Sequence, residues 1–401
     1  MRQRLTALAA LAATLFLVAS CGAAAAAPAP AYAGRTIHLA ADLSLTGAGA
    51  VYGVSSKNGI DLAVEEINAA GGVDGARLAV SIADDGSARS EALQVVQGLV
   101  SARPAPLGLL GPTLSNSAVA VHPYAESAHV PIVGISNTGL HIVPDCEYPS
   151  ETPCRYVFRD SLGEATAIPA DIRVWQQRHH SRTAVLMVAY DDKFSADGGR
   201  VVAAAAPGQG LRLVQTIEFS KTATDLSPYV AEAVKSHPDV IFITSLGSIP
   251  ARIMIEARAI GFRGGFLGGN GFNTAVVSQA AGAAGKGAQS ASAWYLNSSF
   301  AANHAFVRDY RAAYAEDPDQ FAAQAWTGVL IFAAAARSAH LTFKDVPADR
   351  DRLRAALEKV SLPTPLGPFQ FTSAHDVSQP IWVIQMDGRG GFNLVSEVSP
   401  A

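Results

Sequence analysis

Short, wholly apolar runs alternate along the chain with stretches whose apolar residues recur at helical spacing. Ile37 to Leu45 is a predicted strand with Asp42 and Ser44 near its end. A loop from Thr46 to Gly53 follows, then a helix with Ile60, Ala63, Val64 and Ile67 on one face, closed by Gly71-Gly72. Leu78 to Ala83 is the second strand and Glu91 to Ser101 the second helix. From Pro106 to Gly139 the pattern takes two strand-to-loop steps with one helix between them. A strand ends at Leu110 and opens into Gly111 to Ser117, and a helix runs from Ala118 to Ala128. A strand from Pro131 to Ile135 then opens into Ser136-Asn137-Thr138-Gly139.

The same order repeats further on. Thr183 to Ala189, Leu211 to Glu218, Asp239 to Thr244 and Gly265 to Leu267 read as strands. Asp225 to Ser236 and Ile249 to Ile260 read as helices, and the last strand opens into Gly268-Gly269-Asn270-Gly271. Helices from Gln324 to Ala339 and Leu353 to Val360 come late. Phe369 to Phe371 and Ile381 to Gln385 alternate like an antiparallel hairpin pair. Strands alternating with helices predict parallel sheets covered on both faces. Two such units, with the chain returning to the first, leave a cleft between them where ligands are favoured. Ser115, Ser136, Asn137 and Thr138 fall just past two consecutive strand ends, where an open α/β sheet presents its ligand crevice. Free N–H groups at a helix start make that spot attractive to an anion. Capping and turn formation also account for these residues, and both readings stand at this point.

Composition narrows the class. The 401 residues are 49% hydrophobic and 16% charged, with a net charge of −4, as in a two-domain globular protein. No basic run is interleaved with aromatics, so nucleic acid is not an expected partner. Histidines are scattered without metal-ligand spacing, and no metal or cofactor is expected. Gly134-Ile135-Ser136-Asn137-Thr138 lacks the last glycine of a nucleophile elbow, and no P-loop is present. Gly208-Gln209-Gly210 is a turn, and the pairs Asp84-Asp85 and Asp191-Asp192 read as caps and solvated turn residues. An exported hydrolase would need a nucleophile and base that this sequence does not pair, so no enzyme activity is expected.

The N-terminus reads as a targeting segment. Arg2 and Arg4 flank an apolar stretch from Leu5 to Val18, too short to span a membrane. Val18-Ala19-Ser20-Cys21 resembles the bacterial lipoprotein cleavage box. Residues 1–20 are then the signal peptide, Cys21 the lipidated first residue, and residues 21–35 an Ala/Pro-rich linker. Cleavage by an ordinary peptidase within the alanine run is the alternative. Cys146 and Cys154 bound a short loop and suggest a disulfide in an exported protein. The less favoured alternative, a thiol or metal pair, has only His141 nearby.

Resemblance to a family becomes specific between Thr46 and Gly75. Tyr52-Gly53, Asn58-Gly59 and the run Leu62 to Val73 look like the branched-chain amino-acid-binding family of periplasmic binding proteins. These are the type I solute receptors of ABC importers. Weaker matches follow in order at Gly111 to Ser117, Ile135 to Thr138, Phe158-Arg159, Ala257 to Phe262 and Leu366 to Phe371. The resemblance covers the chain from Thr36 to about Asn393.

It implies a type I periplasmic-binding-protein fold: two doubly wound α/β lobes, three crossover strands and a ligand cleft that closes like a hinged trap. The first lobe would hold 36–158 and 293–365, and the second 159–292 and 366–395. Crossovers are expected near Tyr156 to Ser161, Ser290 to Trp294 and Thr364 to Pro368. The resemblance also implies that Ser115, Ser136, Asn137 and Thr138 hold a ligand carboxylate through hydroxyls and N–H groups, with Tyr52 covering the side chain. Phe194 and Leu246 stand where amino-acid binders carry tyrosines, and Asn270 where they carry an acid. An ordinary ammonium is therefore poorly served. Glu164 is the candidate to replace that acid, or else a residue of a helix start. The implied function is a monomeric, lipid-anchored, extracytoplasmic receptor passing an amino acid or related small carboxylate or amide to a membrane permease. A receptor signalling to a membrane regulator is the alternative.

Overall fold

The computed structural model describes residues 30–143 and 154–399. The signal peptide, Cys21 and Cys146 lie outside the described residues. Strands β1 (Thr36–Leu43), β2 (Arg77–Asp84), β3 (Gly108–Leu110), β4 (Ile132–Gly134) and β5 (Val157–Arg159) form a parallel sheet in the order β2-β1-β3-β4-β5. Five further parallel strands begin a second sheet: β6 (Thr183–Ala189), β7 (Arg212–Phe219), β8 (Val240–Thr244), β9 (Gly265–Gly268) and β10 (Gln289–Ser292). A small antiparallel sheet follows from β11 (Ser361–Thr364), β12 (Gly367–Phe371) and β13 (Val377–Ser378). Then β14 (Ile381–Met386) and β15 (Phe392–Val398) complete the second sheet in the order β15-β14-β10-β9-β8-β6-β7.

Helices α1 (Ala50–Ala69), α2 (Arg89–Ser101) and α3 (Ser115–Ser127) belong to the first lobe. In the second are α4 (Glu164–His179), α5 (Lys193–Gly208), α6 (Ser227–Lys235), α7 (Ile249–Ala259) and α8 (Ala275–Ala281). The chain returns to the first lobe with α9 (Ala301–Tyr314), α10 (Gln320–Ser338) and α11 (Val346–Leu357). This is the two-lobed architecture that the resemblance implies.

Burial follows the strand positions. All five residues of the central strand β8 are buried, as a parallel strand covered on both faces requires. The edge strands β2 and β7 are mostly half-buried or exposed, with only Leu78 buried in β2 and Ile217 and Phe219 buried in β7. Leu39, Ala41 and Leu43 of β1 face the α10 and α11 side of the first core, whereas Ala40 joins the core on the opposite face.

Several expectations change. Phe369 and Phe371 of β12 sit in the first lobe's core, so the last crossover falls at Gln379-Pro380, not at Thr364 to Pro368. Phe158 explains this: its ring lies 5.1 Å from Phe371 and stacks on His375 at 4.0 Å. Arg159 Nε also donates to Asp376 Oδ1 at 3.0 Å, holding the β12–β13 segment to the first lobe. Phe369 to Phe371 and Ile381 to Gln385 consequently pair with other strands and not with each other. Tyr32, placed in the linker by composition, is buried. Its hydroxyl donates to Ala336 O at 3.1 Å and accepts from Leu341 N at 3.0 Å. Finally, α1 and α10 begin earlier than their apolar spacing suggests, and α9 is an additional helix. Cys154 is buried and disulfide-bonded.

Candidate functional site

Helix α1 starts at Ala50, which puts Tyr52 in its first turn and not in a loop. At Gly53 a Cβ would lie 2.0 Å from Ser44 O, so only glycine lets α1 settle this closely on the end of β1. Tyr52 is thereby aimed across the cleft. Its hydroxyl accepts from Gly247 N at 2.9 Å and donates to Gly271 O at 3.1 Å, both in the second lobe. Burial pushes the ionisation of this hydroxyl up. A second tie comes from Asn116, near the start of α3. Its Nδ2 donates to Asp192 Oδ2 at 2.6 Å and its Oδ1 accepts from Lys193 N at 2.9 Å. The two lobes are closed on one another.

Between them lies a small cavity of about 20 Å³. Thr113, Ser115 and Ser136 form its polar wall. Tyr52, Leu114 and Phe321 from the first lobe, with Phe194 and Leu246 from the second, form the apolar one. Asn270 completes the lining, which contains no charged side chain. Ser115 is the first residue of α3, where the leading N–H groups have no intrahelical acceptor. Its Oγ accepts from Gly139 N at 3.1 Å, and Ser136 Oγ donates to Thr113 O at 2.5 Å.

Six of the expected site residues therefore meet around one space: Tyr52, Ser115, Ser136, Phe194, Leu246 and Asn270. Asn137, Thr138 and Glu164 are buried behind it. Asn137 Nδ2 donates to Pro112 O at 2.8 Å, bracing one loop against the other. Thr138 Oγ1 donates to Glu164 Oε1 at 3.3 Å, and the same oxygen accepts from Asn270 N at 3.0 Å. Glu164 Oε2 has no hydrogen-bond partner among the described residues. Burial pushes the Glu164 carboxyl up to about 7, against the opposing pull of the Asn270 N–H, the Thr138 hydroxyl and the Arg159 charge.

Thr113, Leu114 and Phe321 also line the cavity, and the sequence pattern does not mark them. The first two lie in the loop before Ser115, where register alone does not say which side chains face inward. Phe321 enters because Asp319 caps α10, accepting from Phe321 N at 3.0 Å and Ala322 N at 3.1 Å. An Asp just before an apolar run is the signal that could have placed this helix start.

The acidic pairs behave as caps and braces. Asp84 accepts from Leu45 N at 2.8 Å and Gly86 N at 2.8 Å, and Asp192 caps α5 through Ser195 N at 2.9 Å. Asp85 accepts from the Ser44 and Ser117 hydroxyls at 2.7 Å each. Among the described residues no cluster of metal-ligating side chains occurs and no helix is long and apolar enough to cross a membrane.

Residues 36–391 match the sequence profile of the periplasmic binding protein family. The chain belongs to that family. Its members are extracytoplasmic solute-binding proteins rather than enzymes. The leucine binding protein LivK from Thermotoga maritima is similar over 91% of this chain and 99% of its own, at 20% identity and a TM-score of 0.81. The substrate binding protein LivJ from Streptococcus pneumoniae, solved with isoleucine, is similar over 92% and 99%, at 24% identity and 0.79. A solute binding protein of an ABC transporter from R. palustris, solved with benzoate, is similar over 91% and 97%, at 22% identity and 0.81. At these identities the likeness is one of fold.

Proposed function

We propose that this chain is the extracytoplasmic receptor of an ABC importer and captures a small carboxylate by lobe closure. The ligand is an amino-acid-related or aromatic carboxylate, or an amide, without a charged ammonium at the usual place. The observation that carries this reading is the lining itself. Hydroxyls and a helix N-terminus stand on one wall, aromatic and aliphatic side chains on the other, and no ionised group lies between. Ser115, Ser136 and the start of α3 form the carboxylate cradle, with Asn137 and Thr138 bracing it and Glu164 beneath Asn270. Tyr52, Phe194 and Leu246 cover the apolar part. The lining offers an ammonium beside Asn270 no ionised partner, and the Glu164 carboxyl behind it, raised to about 7 by burial, is a weak substitute for an ordinary carboxylate.

Both an isoleucine complex and a benzoate complex occur on this fold, so the fold accommodates carboxylates with and without an ammonium group. The receptor acts as a monomer, held at the membrane through lipidated Cys21 and presenting its closed form to a permease. Substitution of Cys21 by serine is expected to abolish incorporation of radiolabelled palmitate.

Thermal-shift measurements test the ligand class. Benzoates and other neutral-tailed carboxylates are expected to raise Tm, and Ser115→Ala to weaken that effect. Strong stabilisation by leucine, isoleucine or valine, with none by neutral-tailed carboxylates, overturns the reading.

A further inference from the structure

A second space of about 390 Å³ lies on the hinge side of the cleft. It straddles the lobes. Trp294 and Tyr295 wall it from the first lobe side and Ile384 and Phe392 from the second, giving a trough with an apolar side, while Glu316, Asp317, Asp319 and Arg389 also line it. A thin partition separates it from the ligand cavity. Asn270 lines the cavity, Gln320 lines the trough, and the Gln320 Nε2 donates to the Asn270 Oδ1 between them. Phe321, the next residue along α10, faces the cavity again.

Two details give this partition a chemistry. Asn270 Nδ2 donates to Ser136 O at 3.3 Å, so Asn270 stands beside the proposed carboxylate cradle. A substituent on the carbon next to a bound carboxylate therefore meets the Asn270 amide. Gln320 is fixed from behind, its Oε1 accepting from Ser292 Oγ at 2.7 Å and Ala293 N at 3.1 Å. Its Nε2 is thus held as a donor aimed at Asn270.

We propose that the partition reads a secondary amide, and that the ligand is an N-acylated α-amino acid whose acyl group occupies the trough. This rests on the carboxylate cradle proposed above. The ligand carbonyl takes the Gln320 Nε2 that Asn270 now accepts. Asn270 Oδ1, released, accepts the ligand N–H. One protein hydrogen bond is exchanged for two to the ligand, so opening the partition leaves no donor or acceptor stranded. An ammonium would donate to Asn270 but offer Gln320 no acceptor. The acyl chain then lies against Trp294, Tyr295 and Phe392, and because the trough spans both lobes it favours their closure.

Calorimetry with the full chain tests this, using benzoate, leucine, N-acetyl-leucine and N-benzoyl-leucine as probes. The acylated probes are expected to bind at least about tenfold more tightly than leucine, with N-benzoyl-leucine ahead of N-acetyl-leucine. Ala275→Trp, which fills the trough from α8, is expected to remove the advantage of the benzoyl group and leave benzoate binding within about twofold. Benzoate binding also reports that this variant is folded. If benzoate binds the wild type and the acylated probes do not, the amide inference falls and the carboxylate cradle stands. The inference also falls if N-benzoyl-leucine binds equally well to Ala275→Trp. If none of the probes binds, the cradle itself is refuted.

Discussion

Removing the Tyr52 hydroxyl isolates the energy that ties the lobes together. In Tyr52→Phe the ring keeps its contact with Phe321, 4.7 Å between centroids, while the bonds to Gly247 N and Gly271 O disappear. Both bonds are buried and neutral in the closed form. In the open form the same groups meet water, so the loss falls on the closed form alone. Each bond contributes about 1 kcal/mol net, which makes the closed form weaker by about 2 kcal/mol. That is about thirtyfold in the open–closed equilibrium. A ligand that binds only the closed form then loses up to about thirtyfold in affinity, depending on how populated that form is beforehand. Small-angle scattering of ligand-free protein reads the shift as an increased radius of gyration. Calorimetry with benzoate reads it as a weaker Kd, and stopped-flow as faster release. Where the ligand-free wild type is already open, only the affinity changes. An unchanged radius together with an unchanged Kd, in a protein that binds benzoate, refutes the assignment of Tyr52 as an interlobe tie.

Two further outcomes follow from buried groups. Glu164, raised from 4.5 to about 7 in the folded state, makes the native protein bind more protons than the unfolded chain between those values. Its share of stability is therefore present at low pH and lost as pH rises toward about 7, a change on the order of 3 kcal/mol. Asp42 and Asp171, both pushed up to about 8 chiefly by burial, act in the same direction, so the informative quantity is a difference between proteins. Urea denaturation of Glu164→Gln across this range is expected to show a shallower decline than the wild type, and parallel curves would contradict it. Tyr32→Ala deletes a buried ring with two hydrogen bonds. Its expected cost is about 3 kcal/mol in urea denaturation, and a loss below about 0.5 kcal/mol would return residues 30–35 to the linker.

Much of the fold was written in local pattern. Parallel strands buried on both faces must be continuous apolar runs, and β6, β8 and the strands around Pro106 to Gly139 are legible for that reason. Helix starts were less visible. Asp319 and Gly49 act before the apolar spacing of α10 and α1 becomes regular, and Phe321 and Tyr52 reach the site through those early turns. The last crossover is not legible in local pattern because Phe369 and Phe371 carry no mark of which lobe they enter. Packing against Phe158 and the Arg159–Asp376 pair decides it.

The division is sharpest at the candidate site. Local sequence determined that hydroxyl residues would stand past two strand ends, because that depends only on strand, turn and cap chemistry. Only the tertiary structure decided which of them face the space. A side chain in an irregular loop has no period from which its direction follows, and Thr138 turns to Glu164 at the start of α4 while Thr113 turns toward the cavity. The Gln320–Asn270 partition was beyond the reach of local pattern altogether, since its two amides are 50 residues apart and stand on different lobes.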